Sequence, residues 1–412
     1  MMRALVIVLL CVLVPLCSGQ NAVIPDKKNL HLGLSERIGN FSVELLYYTS
    51  AAQERGTNLI ISPITVWTVL AVIAEGATVN TLNEICKAIR IVPKTRQLVR
   101  NNFQNIQQFL EVKTKTVELQ KLNSMFVDQS NRPESDFIEI AKQYDTSLIA
   151  LNFSDPDHTT NTINDVISNF THGRILKLID SNDLRDSHMV LSSALYFKGQ
   201  WTFPFNSSFT MKKPFYNSAG DVIGQVNMMY NRYTYPFANI EALQGRVIEI
   251  QYGSENRLSM LIMVPYPGVS LPDMFFNFNN ISLDLVFAEL KIAREEYADD
   301  EVDAFIPRFK IETSIDLTES LKEMGIRDMF DEIKARLPKI TRVPTYVKKV
   351  VHKAEIEVTE EGTTASAATA AEFSNRIGVL RFEANRPFCY LIVEKTTNTI
   401  AFGGFYQVPE LF

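Results

Sequence analysis

The chain has 412 residues, of which 46% are hydrophobic and 21% charged, with 17 glycines and 17 prolines. Its 41 basic and 47 acidic residues leave a formal charge of −6. This balance excludes a disordered segment, a collagen and a long coiled coil, and it speaks against nucleic acid as a partner.

At the start, Arg3 precedes thirteen uncharged residues, 4–16, and then the small-residue run Cys17, Ser18, Gly19. A basic start, a short apolar run and a small-residue site predict a secretory signal over 1–19. A membrane anchor would need about 20 apolar residues, and no later run is long enough, so no membrane partner is expected. Cys11 and Cys17 leave with the signal. Cys86 and Cys389 remain, too few for a disulfide framework, and are expected as buried free thiols. Sequons begin at Asn40, Asn152, Asn169, Asn206 and Asn280, which agrees with an extracellular glycoprotein. Asn169 falls in a helical pattern and is expected to be poorly accessible.

Residues 20–412 contain no internal repeat and no long polar linker, so a single domain is expected. Residues 35–51 carry apolar side chains at helical spacing. Ser62 and Pro63 read as the cap and first position of a second helix. That helix is almost wholly apolar to Ala74 and should be buried on every side. Further helices are predicted over 78–90, 96–111, 134–145 and 157–171. Strand-like runs cover 117–127, 187–197, 246–252, 257–265, 302–312, 345–359 and 388–406, the last turning at Thr397 and Asn398. The irregular mixture implies an α+β fold.

Between 350 and 359 the pattern has period two. Val350, His352, Ala354, Ile356 and Val358 share one face, and Val351, Lys353, Glu355, Glu357 and Thr359 the other. This is a half-buried strand. His352 on its apolar face reads as a core histidine that needs a hydrogen-bond partner, with Ser62 as one candidate. The next segment is anomalous. After Glu360, Glu361 and Gly362, no residue up to Ala371 is larger than threonine: Thr363, Thr364, Ala365, Ser366, Ala367 and Ala368 lead the run. It has no proline and no charge. As a strand it would present a face small enough to slide beneath packed elements without a clash or a buried charge. A plain linker is disfavoured, because only about forty residues follow and they read as sheet. Arg376 then suits attack by a trypsin-like protease on an exposed loop.

These segments resemble the serpin family over nearly the whole mature length. Residues 350–370 resemble its fifth main-sheet strand and loop hinge, 58–77 its shutter strand and helix, and 192–205 its third main-sheet strand and breach. Residues 305–326 and 385–404 match later segments. The resemblance implies three β-sheets, about nine helices and an exposed reactive-centre loop over about 360–381. Family spacing from Gly362 places the reactive bond at Arg376–Ile377, with Arg381 as a rival. The implied mechanism is suicide inhibition: a protease acylates on Arg376, and the cut loop inserts into the main sheet. The implied partner is a trypsin-like serine protease in a covalent complex, and the inhibitor is expected to be a monomer.

The resemblance also implies a shutter of Ser62, Ser193 and His352, and a breach where Trp201 packs beside a Glu360–Arg308 pair. Ser193 stands where the family usually has Asn, so a water is expected between it and His352. Thr65 stands where Ser is frequent, and Phe405 where Arg is usual. An enzyme is not expected: GxSxG, HExxH and GxxxxGK[ST] are absent, and the five histidines do not cluster at metal spacing, so neither metal nor cofactor is predicted. A non-inhibitory carrier, chaperone or storage serpin is the alternative, although such members often have bulky or charged hinges. A glycosaminoglycan would need a basic face. Lys94, Arg96, Arg100, Lys113, Lys115 and Lys121 offer at most a weak one.

Overall fold

A computed structural model describes residues 33–54, 56–173, 176–185, 187–362 and 380–412. The expected signal over 1–19, the hinge residues Thr363 to Ala368, and the reactive bond Arg376–Ile377 lie outside the described residues. The described residues form three β-sheets and ten α-helices, two of them no longer than six residues.

The main sheet runs in the order Phe309–Asp316, Lys349–Val358, Met189–Gly199, Val117–Asp128, Val112–Lys113, with Thr146–Leu151 alongside Val117–Asp128. A second sheet runs Leu59–Ile61, Thr399–Tyr406, Phe388–Glu394, Leu258–Pro265, Gly245–Tyr252, Phe237–Ile240. The third has four strands: Leu380–Glu383, Val302–Pro307, Val222–Tyr233 and Met211–Tyr216.

Helix Pro63–Gly76 is buried along its whole length, as its apolar sequence requires. It packs on the Val117–Asp128 and Met189–Gly199 strands on one side and on Thr399–Tyr406 on another. The opposite face of the main sheet carries helix Pro156–Phe170, whose Ile163 and Ile167 close over Phe126, Val190 and Val351. The main sheet is thus covered on both faces. Cys86 and Cys389 are buried free thiols.

The predicted strand over 302–312 is in fact two. Pro307 cannot donate to a ladder, and the Arg308 N–H turns to the Asn227 carbonyl at 2.8 Å. Residues before this corner belong to the third sheet and residues after it to the main sheet. The helix expected over 96–111 ends earlier, at Gln107. The weak basic face considered from the sequence does not assemble among the described residues. Arg96 and Arg100 turn inward to the buried Glu75, at 3.5 and 3.2 Å, and Lys121 is buried against Glu111 and Asp145. Lys113 pairs with Glu118 at 3.5 Å, leaving Lys94 and Lys115. Asn169 is helical as expected but exposed, as are Asn152 and Asn280, whereas Asn40 and Asn206 are half-buried.

Candidate functional site

The alternating strand Lys349–Val358 lies between two neighbours. Its antiparallel partner Phe309–Asp316 matches it almost end to end, from Phe309↔Val358 to Asp316↔Val351. Its parallel partner does not. Pairing with Met189–Gly199 runs only from Lys349↔Val190 to Lys353↔Ala194. Beyond that point, residues 354–358 and 195–199 have partners only on their outer sides among the described residues. One strand seam is therefore closed at one end and unzipped at the other.

The closed end holds the shutter residues. His352 is fully buried and stands opposite Ser193 in the parallel register. Its Nε2 accepts the Ser62 backbone N–H at 2.9 Å, and its Nδ1 lies 2.8 Å from Ser193 Oγ. An accepting Nε2 puts the ring proton on Nδ1, which donates to Ser193. Burial lowers the His352 pKa to about 4, so the ring is neutral at ordinary pH. Two expectations change here. Ser193 reaches the ring directly, without a water, because parallel pairing brings the two strands into register. Ser62 serves through its backbone, and its side chain makes no cap bond to the helix. Asn123 stands opposite Ser193 on the next strand, its side-chain amide buried, so an amide is present one strand away from where the resemblance placed it. On the other face, Lys349 pairs with Asp183 at 2.7 Å, and Lys353 donates to the Lys177 carbonyl at 3.1 Å.

At the open end the chain makes a tight turn. Thr359 and Gly362 exchange backbone bonds in both directions, and Thr359 Oγ1 also donates to the Gly362 carbonyl at 2.9 Å. Gly362 has φ +119°, and a Cβ there would lie 2.3 Å from the Gly199 carbonyl oxygen. Only glycine fits this approach. Trp201 closes the turn: its backbone N–H donates to the Glu361 carbonyl and its indole Nε1 to the Thr359 carbonyl, both at 2.9 Å. Its ring stacks on Tyr252 at 4.2 Å between centroids. Glu360 is brought to Arg308 as expected, but at 3.6 Å, beyond a good hydrogen bond. Its closer partner is Thr210, whose hydroxyl donates to Oε1 at 2.6 Å. Sequence reasoning missed Thr210. The only signal was its place just after the breach segment, next to a short 3-10 turn.

Arg381, the rival basic residue, is built into the third sheet opposite Asp303. It pairs with Glu383 at 3.2 Å and lies over the Phe305 ring at 4.4 Å. A residue fixed in a strand and an ion pair is a poor bait for a protease cleft. Among the described residues no group of His, Cys, Asp and Glu could hold a metal ion, and no helix is long and apolar enough to cross a membrane.

These features define a three-sheet α+β protein whose main sheet is part-unzipped beside a hinge. A sequence model of the serpin family, described as serine protease inhibitors, matches residues 36–409. The chain belongs to the serpin family. It is 31% identical over 384 residues to the leukocyte elastase inhibitor of Bos taurus, covering 91% of this chain and 99% of that one. Antithrombin-III of Mus musculus is 29% identical over 402 residues, covering 94% and 84%. The solved structure of human thyroxine-binding globulin in complex with thyroxine superposes with a TM-score of 0.79 at 24% identity, covering 92% and 99%. Members of this family are inhibitors of serine proteases in the main rather than catalysts, and some are carriers.

Proposed function

We propose that the chain is a secreted, monomeric suicide inhibitor of trypsin-like serine proteases, with its signal over 1–19, one serpin domain over 20–412 and its reactive bond at Arg376–Ile377. The observation that carries this reading is the unzipped seam. Among the described residues it leaves two strand edges without partners between them, next to a hinge whose following residues, up to Ala371, are all small and uncharged. A strand added there would complete both ladders at once. Fourteen residues from the hinge to Arg376 would span about 46 Å when extended, enough to carry a tethered protease the length of the sheet.

The chemistry is a race. The protease serine attacks the Arg376 carbonyl, the bond to Ile377 breaks, and the new amine of Ile377 leaves. The acyl-enzyme then either takes up water or is dragged along by the inserting loop. About a dozen new backbone hydrogen bonds at roughly 0.5–1.5 kcal/mol each supply ~6–18 kcal/mol. Dismantling a catalytic triad costs about a factor of 10⁶, or ~8 kcal/mol. The two magnitudes are comparable, which is what trapping of the acyl-enzyme requires. Incubation with trypsin should give a complex stable in SDS, and cleaved chain without complex would refute the proposal.

The carrier reading draws on one observation, the likeness in fold to thyroxine-binding globulin. It predicts that the chain is cut as a plain substrate and that no complex accumulates.

A further inference from the structure

One segment of this acidic chain is strongly basic. From Ile333 to Lys349 it carries Lys334, Arg336, Lys339, Arg342, Lys348 and Lys349 and no acid. Up to Lys349 it forms neither helix nor strand, yet it is fixed as a strap. The Arg336 N–H donates to Thr81 Oγ1 at 3.1 Å and the Lys339 N–H to the Gly76 carbonyl at 3.3 Å. The Ile340 carbonyl accepts the Glu134 N–H at 2.8 Å. Leu337, Ile340 and Val347 are buried beneath it. A Cβ on Gly76 would lie 2.2 Å from Ile340 Cγ1, so the strap sits flush on the end of helix Pro63–Gly76.

With one side buried, the bases face outward: Lys334, Arg336, Lys339, Arg342 and Lys348 are all exposed. Lys334 pairs with Asp331 at 3.5 Å and Arg342 with Glu134 at 2.9 Å, both at the surface. The Arg336 guanidinium is held by the Ile333 and Ala335 carbonyls at 2.7 and 2.8 Å, which fix it without neutralising it. Among the described residues, Lys339 and Lys348 enter no ion pair. Glu332 and Asp136 are exposed acids at the edges of the strap, and the outward bases outnumber them.

Two apolar side chains stand among these bases. Ile333 is 81% exposed, the highest value of any large apolar residue described, and Val343 is 46% exposed. A polysaccharide would answer the charges and leave both side chains in water. The surface of an anionic membrane takes both kinds: its phosphates meet the bases, and its acyl boundary takes up Ile333 and Val343. The strap also lies far from the hinge. The Lys348 N–H donates to the Met189 carbonyl at 3.1 Å, at the start of Met189–Gly199, whereas Gly362 meets Gly199 at the other end. Eleven residues of strand put about 36 Å between them.

We propose that this strap docks the chain on a membrane surface bearing anionic phospholipid, with the hinge end of the main sheet turned to the fluid. The sequence lacks a later spanning segment, and peripheral contact needs none. The chain's overall charge of −6 repels such a surface elsewhere and so orients the docking. The test sediments the full chain with vesicles of phosphatidylcholine, with or without phosphatidylserine, and runs it in parallel on a heparin column. Binding should require phosphatidylserine and fall as salt rises. Each base at a lipid surface is worth about fivefold, so Lys339→Glu combined with Lys348→Glu should weaken vesicle binding at least tenfold. Both side chains are exposed, and the melting temperature should not change. Ile333→Ser should weaken vesicle binding about fivefold and leave heparin retention unaltered. Equal binding to pure phosphatidylcholine, or no loss in the double variant, would overturn the assignment. So would undiminished vesicle binding by Ile333→Ser, which together with firm heparin retention would mark a polysaccharide site instead. No protease enters the assay, so its outcome is separate from that of the trapping reaction.

Discussion

Along the seam between Met189–Gly199 and Lys349–Val358, the pairs from Lys349↔Val190 to Lys353↔Ala194 are zipped by backbone bonds. Residues 354–358 and 195–199, a few ångströms along the same strands, are not paired to each other. The zipped half is locked by a buried histidine network and by two lysines that reach the segment before Met189–Gly199. The unzipped half is held at its end by a turn: one glycine, one tryptophan and a glutamate shared by Thr210 and Arg308. Ladder bonds and a buried ring form a lock that must be broken pair by pair. Turn and side-chain contacts form a latch that can be released at one point. If insertion begins at the latch and is resisted at the lock, changes in the two regions should have different consequences.

The largest effect is expected next to the latch. Thr363→Arg would force a charge under the sheet, so the SDS-stable complex with trypsin should fall at least a hundredfold relative to cleaved product. An unchanged yield would mean that the hinge does not enter the sheet. The lock should respond to pH. His352 is neutral when folded, with a pKa of about 4, whereas an unfolded histidine titrates near 6.5. Stability from this group is full above about pH 6.5 and is lost as the pH falls towards 4, by about 3 kcal/mol. Urea midpoints across that window should show the loss, and His352→Gln should flatten it. A parallel decline in the variant would assign it to other groups.

At the latch, Gly362→Ala should lower stability by about 2 kcal/mol, since the methyl meets backbone and the positive φ is strained. The smallest contrast lies at Glu360. Thr210→Val should cost about 1 kcal/mol, and Arg308→Ala less than half of that, because the pair is long and its arginine partly exposed. The reverse order in urea titrations would make the ion pair the true latch.

Some of this was legible in the residues. The period-two alternation from Val350 to Thr359 gave the strand, its buried face and the burial of His352, because a pleat turns sequence spacing directly into sidedness. The expected hinge, marked only by its run of small residues after Gly362, lies outside the described residues. What the pattern could not convey was non-local. Nothing near His352 announces that Ser193 is its parallel neighbour or that pairing stops at Lys353, since both depend on a strand 159 positions away in the chain. The basic residues near position 100 read as a solvated face with at most weak binding, and their inward pairing was hidden for a related reason. Their partner, Glu75, is a single acid at the end of an otherwise apolar helix, and that isolation was the available sign that it would draw cations inward. The corner at Arg308 was signalled by Pro307, but the change of sheet was not.

The most direct measurement compares thermal unfolding of the intact chain with that of the chain cut once at Arg376–Ile377. Loop insertion predicts a transition higher by about 7 °C or more in the cut form, from at least ~6 kcal/mol of new backbone bonding. A cut form that melts at or below the intact chain would contradict the account.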